Sequence, residues 1–198
     1  PDIDNLDLFI NHTLWSPDGK WVFFFCRGDF DDKARRLDIP IVVRADGREL
    51  TMLKDHFGGH PEWLDGRRMI GRWGTRQGIY HVQRQEFVGA LGDDGTFADP
   101  GGDVALSLNG QWFVNGSSKE VENRFTFYRI SDGLTLRAGP FSRGPWTSGE
   151  LRIDAAPCWN RNATAVLTTA IADDQQKTRQ MFLIELPASA TEAAGKSP

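Results

Sequence analysis

One position of a four-fold repeated pattern could carry chemistry, and it is occupied by His12, His60, Asp103 and Ala156. Each opens one copy of a motif, and the copies read HTLWSPDG from 12, HPEWLDG from 60, DVALSLNG from 103 and APCWNRNA from 156. Imidazole and carboxylate groups bind divalent cations and transfer protons, whereas an alanine side chain does neither. The alternative is structural, because a His at a strand entrance can hydrogen-bond neighbouring backbone and an Asp after two glycines can organise a turn.

A second set of candidates lies toward the C-terminus. Arg152 and Asp154 are two residues apart, so in an extended segment both side chains point to the same side. We name them as candidate catalytic residues that could bind a substrate carboxylate, with a structural ion pair between them as the alternative. Trp146, in a Gly-rich loop, is a candidate stacking platform for a sugar. Gln180 is a candidate substrate-binding amide, with a blade-to-blade hydrogen bond as its alternative.

The elements that must position these residues follow from the repeat. Its turns lie near 19, 66, 110 and 163, a period close to the roughly 40–50 residues of β-propeller blades and too long for helical solenoids such as ankyrin. Blades share a central axis, so the residues that open them should face one channel. Residues 1–186 are therefore predicted to form propeller blades, and residues 187–198, rich in Ala, Ser, Thr and Lys, a disordered tail.

Short β-rich runs bounded by turn residues predict an all-β fold. The runs are 21–26, 39–44, 68–73, 78–82, 125–130 and 180–186. Asp-Gly and Asn-Gly between such runs predict type I′ hairpin turns, in which both central residues have positive φ. Each blade should thus be a four-stranded antiparallel sheet, with residues 27–38 as a charged loop in the first. Trp15, Trp63 and Trp159 recur at one blade position, which indicates packing between blades.

Composition narrows the function classes. The chain has 198 residues, of which 39% are hydrophobic and 25% charged, enough for a buried core. A net charge of −4 argues against nucleic acid and anionic membrane surfaces as partners. The sequence has no run of 18 apolar residues and no basic-then-apolar start, so we expect neither a membrane span nor a signal peptide. Cys26 and Cys158 lack zinc-ligand spacing and are expected to pack as small apolar residues.

Several of these segments together resemble a known family. They are Asn11-His12 with Ser16–Gly19, Gly59–Trp63, Gly102-Asp103, Arg152–Trp159 and Arg179–Met181. They closely resemble the oligogalacturonate lyase-like propellers, which are related to the TolB-type repeats. The resemblance covers residues 8–186. Since members of that family have seven blades, the chain resembles their C-terminal four.

The resemblance implies a metal-assisted β-elimination on oligouronides or another acidic saccharide, with Mn²⁺ held by imidazoles near the channel. A divalent cation would stabilise the enediolate formed when a base removes the proton α to a uronate carboxylate. His12 and His60 occupy the family's histidine positions, but Asp103 and Ala156 replace the other two histidines. The remaining set of two histidines and one carboxylate implies Mn²⁺ binding that is weak or absent.

Two functions stay open at this point. The first is a carbohydrate-active propeller resembling oligogalacturonate lyase, with degraded catalysis. The alternative is a non-catalytic, TolB-like propeller whose channel face or rim binds protein. Four blades of a seven-bladed ring would expose an apolar face at each end, unless the ring closes or a partner covers them. We therefore expect an open arc that meets a protein partner or further blades.

Overall fold

A computed structural model describes residues 7–29, 36–173, 175 and 178–192. Within these residues the chain is built almost entirely of β-strands. The elements are β1 Phe9–Trp15, β2 Trp21–Gly28, β3 Leu37–Arg44, β4 Thr51–Met52, β5 Gly58–Trp63, β6 Arg68–Trp73, β7 Arg76–His81, β8 Glu86–Leu91, β9 Asp103–Leu106, β10 Trp112–Lys119, β11 Glu122–Arg129, β12 Thr135–Ser142, β13 Cys158–Trp159, β14 Ala165–Asp173, β15 Thr178–Glu185 and the short helix α1 Ala188–Glu192. Among the described residues, none forms a helix with the length and hydrophobicity needed to cross a membrane.

Strands that follow one another in sequence lie side by side in four antiparallel sheets. Strands β1 to β4 form blade 1, β5 to β8 blade 2, β9 to β12 blade 3 and β13 to β15 blade 4. This up-and-down order is that of β-propeller blades and confirms the predicted all-β propeller fold. Blade 4 differs from the prediction because, within the described residues, its sheet has three strands. All six predicted runs fall on strands, but β2 and β3 extend into the segment 27–38 that was predicted as a loop. Residues 30–35 of that segment lie outside the described residues.

The turns between the first two strands of each blade differ from the predicted type I′ geometry. The Gly19 N–H donates to the Ser16 carbonyl at 2.9 Å, and Gly19 has a φ of 66° while Asp18 is not left-handed. The Asp18 carboxylate accepts the Lys20 N–H at 3.2 Å, so the side chain bonds the backbone two residues on and no left-handed turn is needed there. In the second motif Gly66 has no positive φ.

The chain divides into two compact units, residues 1–71 with 78–89 and residues 72–77 with 90–198. Each unit has its own hydrophobic core. The core of the first is formed by Trp21, Phe23, Phe25, Val42, Leu53, Phe57, Trp63, Met69, Tyr80 and Val82. The core of the second is formed by Trp112, Val114, Phe125, Phe127, Ala155, Ala163, Val166, Leu186 and Ala190. Neither cysteine belongs to a core, and Cys158 is exposed, which corrects the prediction of core packing.

The residues after the last strand differ in part from the predicted tail. Residues 188–192 form helix α1, whose Ala190 is buried in the second core. The Arg129 guanidinium donates to the Ala190 carbonyl at 2.8 Å, which ties the helix to strand β11. Residues 193–198 lie outside the described residues.

Candidate functional site

In the first unit the structure brings His12 and His60 together. Their imidazole rings are stacked, with centroids 4.9 Å apart and planes 14° from parallel. The His12 ring also meets the edge of the Phe25 ring at 5.8 Å. His12 has a φ of 53° and lies where the β1–β2 register shifts, so a bulge aims its side chain. Two histidines that are 48 positions apart in the sequence thus become neighbours because their blades pack together.

In the second unit the other two candidate positions meet each other. The Asp103 carboxylate accepts the Ala156 N–H at 3.0 Å, and Ala156 has a φ of 35°. Asp103 begins β9 in blade 3, whereas Ala156 shortly precedes β13 in blade 4. The carboxylate therefore joins the entrances of two successive blades. The hydrogen bond gives Asp103 a structural role, which was the alternative to metal binding in the sequence analysis.

Metal binding by His12, His60 and Asp103 stays a prediction. Within the part of the chain that the structure describes, no group of three or more His, Cys, Asp or Glu side chains is placed to hold a metal ion.

Arg152 and Asp154 form an ion pair with each other. The Arg152 Nε lies 2.9 Å from Oδ1 and 2.8 Å from Oδ2 of Asp154; the Arg152 side chain is exposed and Asp154 is half-buried. This is the structural alternative for the pair, and a catalytic role for either residue stays a prediction. The same loop is organised by Arg143, which sequence reasoning missed. Its buried guanidinium donates to the Ile153 carbonyl at 2.7 Å and to the Thr147 carbonyl at 3.2 Å.

The two candidate substrate-binding residues lie in different surroundings. Trp146 is half-buried in the loop that Arg143 organises, and its carbonyl accepts the Ile153 N–H at 2.8 Å. Gln180 is exposed on β15, opposite Ala170 of β14. No contact with a saccharide follows from either position, so both roles stay predictions.

Glu62 is a titratable group that sequence reasoning also missed. Burial raises the pKa of its carboxyl above the ordinary value, although the carboxylate accepts the Trp63 N–H at 2.8 Å. It lies two residues after His60 in β5, which is the only signal in the sequence that could have drawn attention to it.

The recurring tryptophans join successive blades within each unit. The Trp63 indole donates to the Leu14 carbonyl at 3.1 Å, and the Trp159 indole donates to the Ala105 carbonyl at 3.1 Å. In both cases the acceptor is the third residue of the preceding blade's motif, one residue before the position that the Trp occupies in its own motif. This confirms the predicted packing between blades for both residues. Trp15 differs, because it is 61% exposed whereas Trp63 is 1% exposed.

Comparison with solved structures supports the fold. The chain is similar to TolB from Acinetobacter baumannii, with a TM-score of 0.55 and 16% identity over 88% of this chain and 43% of that one. A putative TolB from Agrobacterium tumefaciens aligns with a TM-score of 0.48 and 11% identity over 90% and 78% of the respective chains. The likeness to the Acinetobacter structure shows the fold alone, a β-propeller. No protein-family model and no curated protein matches the chain. The chain spans less than half the length of the first of these TolB structures.

Proposed function

We propose that this chain is a non-catalytic, protein-binding β-propeller of the TolB-like kind. The observation that supports the proposal is the apolar face of blade 1, called here the blade 1 outer face. Its members differ in exposure: Ile10, Trp15 and Met52 are exposed, Val22, Phe24, Cys26, Ile39 and Val43 are half-buried, and Ile41 is buried. These residues are cross-strand partners and lie on one side of the sheet because side chains alternate along a strand.

Strand β2 explains why this face calls for a partner. Its alternate residues Trp21, Phe23 and Phe25 are buried in the first core, yet the residues between them are also apolar. A sheet with one solvated face normally alternates apolar and polar residues, whereas apolar residues on both sides are typical of a sheet that is covered twice. Trp15, Ile10 and Met52 are nevertheless largely exposed. Contiguous exposed apolar surface of this kind marks protein-interaction sites.

Blade 4 has a corresponding surface, called here the blade 4 outer face. It comprises Cys158, Leu167, Thr169, Met181 and Leu183, which the β13–β14–β15 register places on one side. The opposite side of the sheet packs into the second core through Val166 and Ile184. Met181 and Leu183 are exposed. Arg179 and Glu185 flank the two on β15, so the apolar centre has a charged rim, as protein interfaces do.

The contacts of the candidate catalytic residues favour the binding function over the lyase. The Asp103 carboxylate and the Arg152–Asp154 pair are engaged with protein groups of their own unit. The stacked His12 and His60 rings are the observation that speaks for chemistry at the strand entrances. The lyase therefore remains the competing function that an experiment must exclude.

The catalytic arm of the test adds Mn²⁺ and oligogalacturonate to the purified chain and follows ultraviolet absorbance and calorimetric heat. We expect no gain in absorbance and no saturable heat. Turnover that disappears in His60→Ala but survives in Leu108→Lys would overturn the proposal, since Leu108 is an exposed turn residue outside both outer faces.

The binding arm places a photo-crosslinking amino acid at Leu183 or Ile10 in cells that make the protein. We expect covalent adducts with another polypeptide at both positions and none at Leu108. Adducts that form equally at Leu108 would show only random collision and would contradict a specific surface.

A further inference from the structure

We propose that the blade 4 outer face of one copy of the chain packs against the blade 1 outer face of a second copy. This pairing names the partner of the proposed interaction propeller and therefore rests on that proposal. The proposal is based on a hydrogen bond between neighbouring blades that occurs twice within the chain.

This contact rule concerns the Trp that precedes the turn in blades 1, 2 and 4, at a position that Leu106 occupies in blade 3. Trp63 of blade 2 donates its indole N–H to Leu14 of blade 1, and Trp159 of blade 4 donates to Ala105 of blade 3. Leu14 and Ala105 occupy the same motif position, one residue before the position of the Trp. Each of these two Trp residues thus donates a hydrogen bond to the first strand of the blade that precedes its own. Two independent occurrences with the same 3.1 Å distance make this a repeated docking geometry.

Trp15 is the corresponding donor of blade 1, and it is 61% exposed. The rule requires an acceptor from a blade whose outer face is also open. In blade 4 the residue just before the Trp position is Cys158, whose backbone carbonyl corresponds to those of Leu14 and Ala105. A carbonyl has two lone pairs, so a strand carbonyl can accept an indole N–H in addition to a ladder hydrogen bond. Trp15 and Cys158 therefore occupy the donor and acceptor positions of the contact that blade 2 makes with blade 1 and blade 4 makes with blade 3.

The surfaces around these two residues match in character. Around Trp15 the blade 1 outer face is apolar across all its strands, and around Cys158 the blade 4 outer face presents Leu167 and Leu183 in one cross-strand row. An exposed indole is the type of residue that dominates binding energy when it enters a desolvated contact. Burying both faces would remove apolar side chains from water, which is the general driving force for association.

The pairing is heterologous, because the two copies contribute different surfaces. That property gives a test that other modes of association cannot imitate. A variant blocked at one face keeps the other face intact. Two differently blocked variants should then associate with each other although neither associates with itself.

The experiment measures the mass of the 198-residue chain by sedimentation velocity over a range of concentrations. We expect reversible self-association of the unaltered chain. Trp15→Arg and Leu183→Lys should each be monomeric alone and should form a one-to-one heterodimer when mixed. Leu108→Lys adds the same charge at an exposed position outside both faces and should self-associate like the unaltered chain. Ile10→Arg and Met181→Glu repeat the design at second positions, and circular dichroism checks that every variant is folded.

The cysteines provide an independent readout, since Cys26 and Cys158 each lie on one of the two outer faces. Alkylation of exposed Cys158 should slow at least several-fold as the unaltered chain associates, and should stay fast in Leu183→Lys at the same concentration. Equal alkylation rates in the two proteins would contradict burial of this face.

Three other results would overturn the pairing. A monomeric unaltered chain at all concentrations would do so, as would self-association of Leu183→Lys alone, which would indicate contact between two blade 1 faces. The third is a mixture of Trp15→Arg and Leu183→Lys that stays monomeric. If the pairing fails but photo-crosslinks from Leu183 to a different polypeptide persist, the proposed binding function stands with another partner. Lyase turnover would instead overturn the proposed function itself.

Discussion

At the residue scale, one buried hydroxyl explains why the motif of blades 1 and 3 needs Ser. The Ser107 Oγ accepts the Trp112 N–H at 2.9 Å and donates to the Asn109 side chain at 2.7 Å. Ser16 repeats both contacts in blade 1, with Trp21 and Asp18, at the same distances. The serine therefore satisfies the backbone of the second strand while it holds the turn side chain in place. In blade 4 the Asn160 side chain takes this role, because its Oδ1 accepts the N–H of Ala165, the first residue of β14, at 3.2 Å.

Ser107→Ala should consequently lower the free energy of unfolding by about 1–3 kcal/mol, because it leaves the Trp112 N–H without its buried acceptor. Chemical denaturation followed by tryptophan fluorescence measures the loss. Ser148→Ala is the matched control, since Ser148 is exposed in a loop and its replacement should change stability by less than about 0.5 kcal/mol. Equal effects of the two substitutions would contradict the role assigned to Ser107.

At the element scale, an ion pair joins the C-terminal part of β2 to the N-terminal part of β3, the two strands of one hairpin. The Arg27 Nε donates to Asp38 Oδ1 at 2.8 Å, and both side chains are mostly buried. His56 lies 3.2 Å from the other Asp38 oxygen. Burial by itself would raise the pKa of Asp38, but the hydrogen bond and charge of Arg27, together with His56, lower it below its ordinary value.

A carboxyl whose pKa is lowered by folding contributes stability above its unfolded pKa, and that contribution is lost as pH falls through the folded pKa. Asp38→Asn should therefore destabilise the protein at pH 7 by about 1.5–3 kcal/mol, the range for hydrogen bonds to charged groups. The difference from the unaltered chain should shrink as pH falls below about 4, near the ordinary pKa of Asp. Urea denaturation at several pH values measures both effects.

Asp132→Asn is the control for this prediction. Asp132 forms a comparable contact with Arg129 at 2.6 Å but is solvent-exposed, so its loss should matter much less. A stability difference for Asp38→Asn that stays constant from pH 7 to pH 3 would show that the charge of Asp38 is not what stabilises the hairpin.

At the scale of the whole molecule, two separate hydrophobic cores contribute to the stability of the chain, one in each unit. Phe23 lies in the core of the first unit and Phe127 in that of the second, and neither is accessible to solvent to any relevant extent. Removing a buried phenylalanine ring typically costs about 3–5 kcal/mol, through lost burial and the cavity that remains. Such a loss should lower the free energy of local unfolding mainly in the unit that contains the cavity.

We expect Phe23→Ala to reduce hydrogen-exchange protection mainly in strands of the first unit, such as β2, and Phe127→Ala mainly in strands of the second, such as β11. Exchange measured by mass spectrometry on both variants provides reciprocal controls. If either substitution lowers protection equally in β2 and β11, the two cores do not act as separate sources of stability.

The local pattern of the sequence was sufficient to determine the blade architecture. Strand alternation, turn dipeptides and the repeat period are set by backbone geometry, so they can be recognised residue by residue, and the six runs that they predicted fall on strands. The turn type was predicted wrongly because it depends on whether Asp18 bonds its own backbone. The same local reasoning also placed His12 and His60 at equivalent positions, which packing then brought together.

Burial and partnership were decided by the tertiary structure alone. Trp15, Trp63 and Trp159 read alike in sequence, yet only the latter two have a preceding blade within their unit to cover them. Asp103 was a candidate metal ligand and Ala156 the residue at the same motif position in blade 4, and the hydrogen bond between them forms only where blades 3 and 4 meet. Arg143 gave no local signal, since its carbonyl partners are assembled by the loop fold. Each outcome rests on contacts between segments distant in sequence, and a one-dimensional pattern does not specify which surfaces meet.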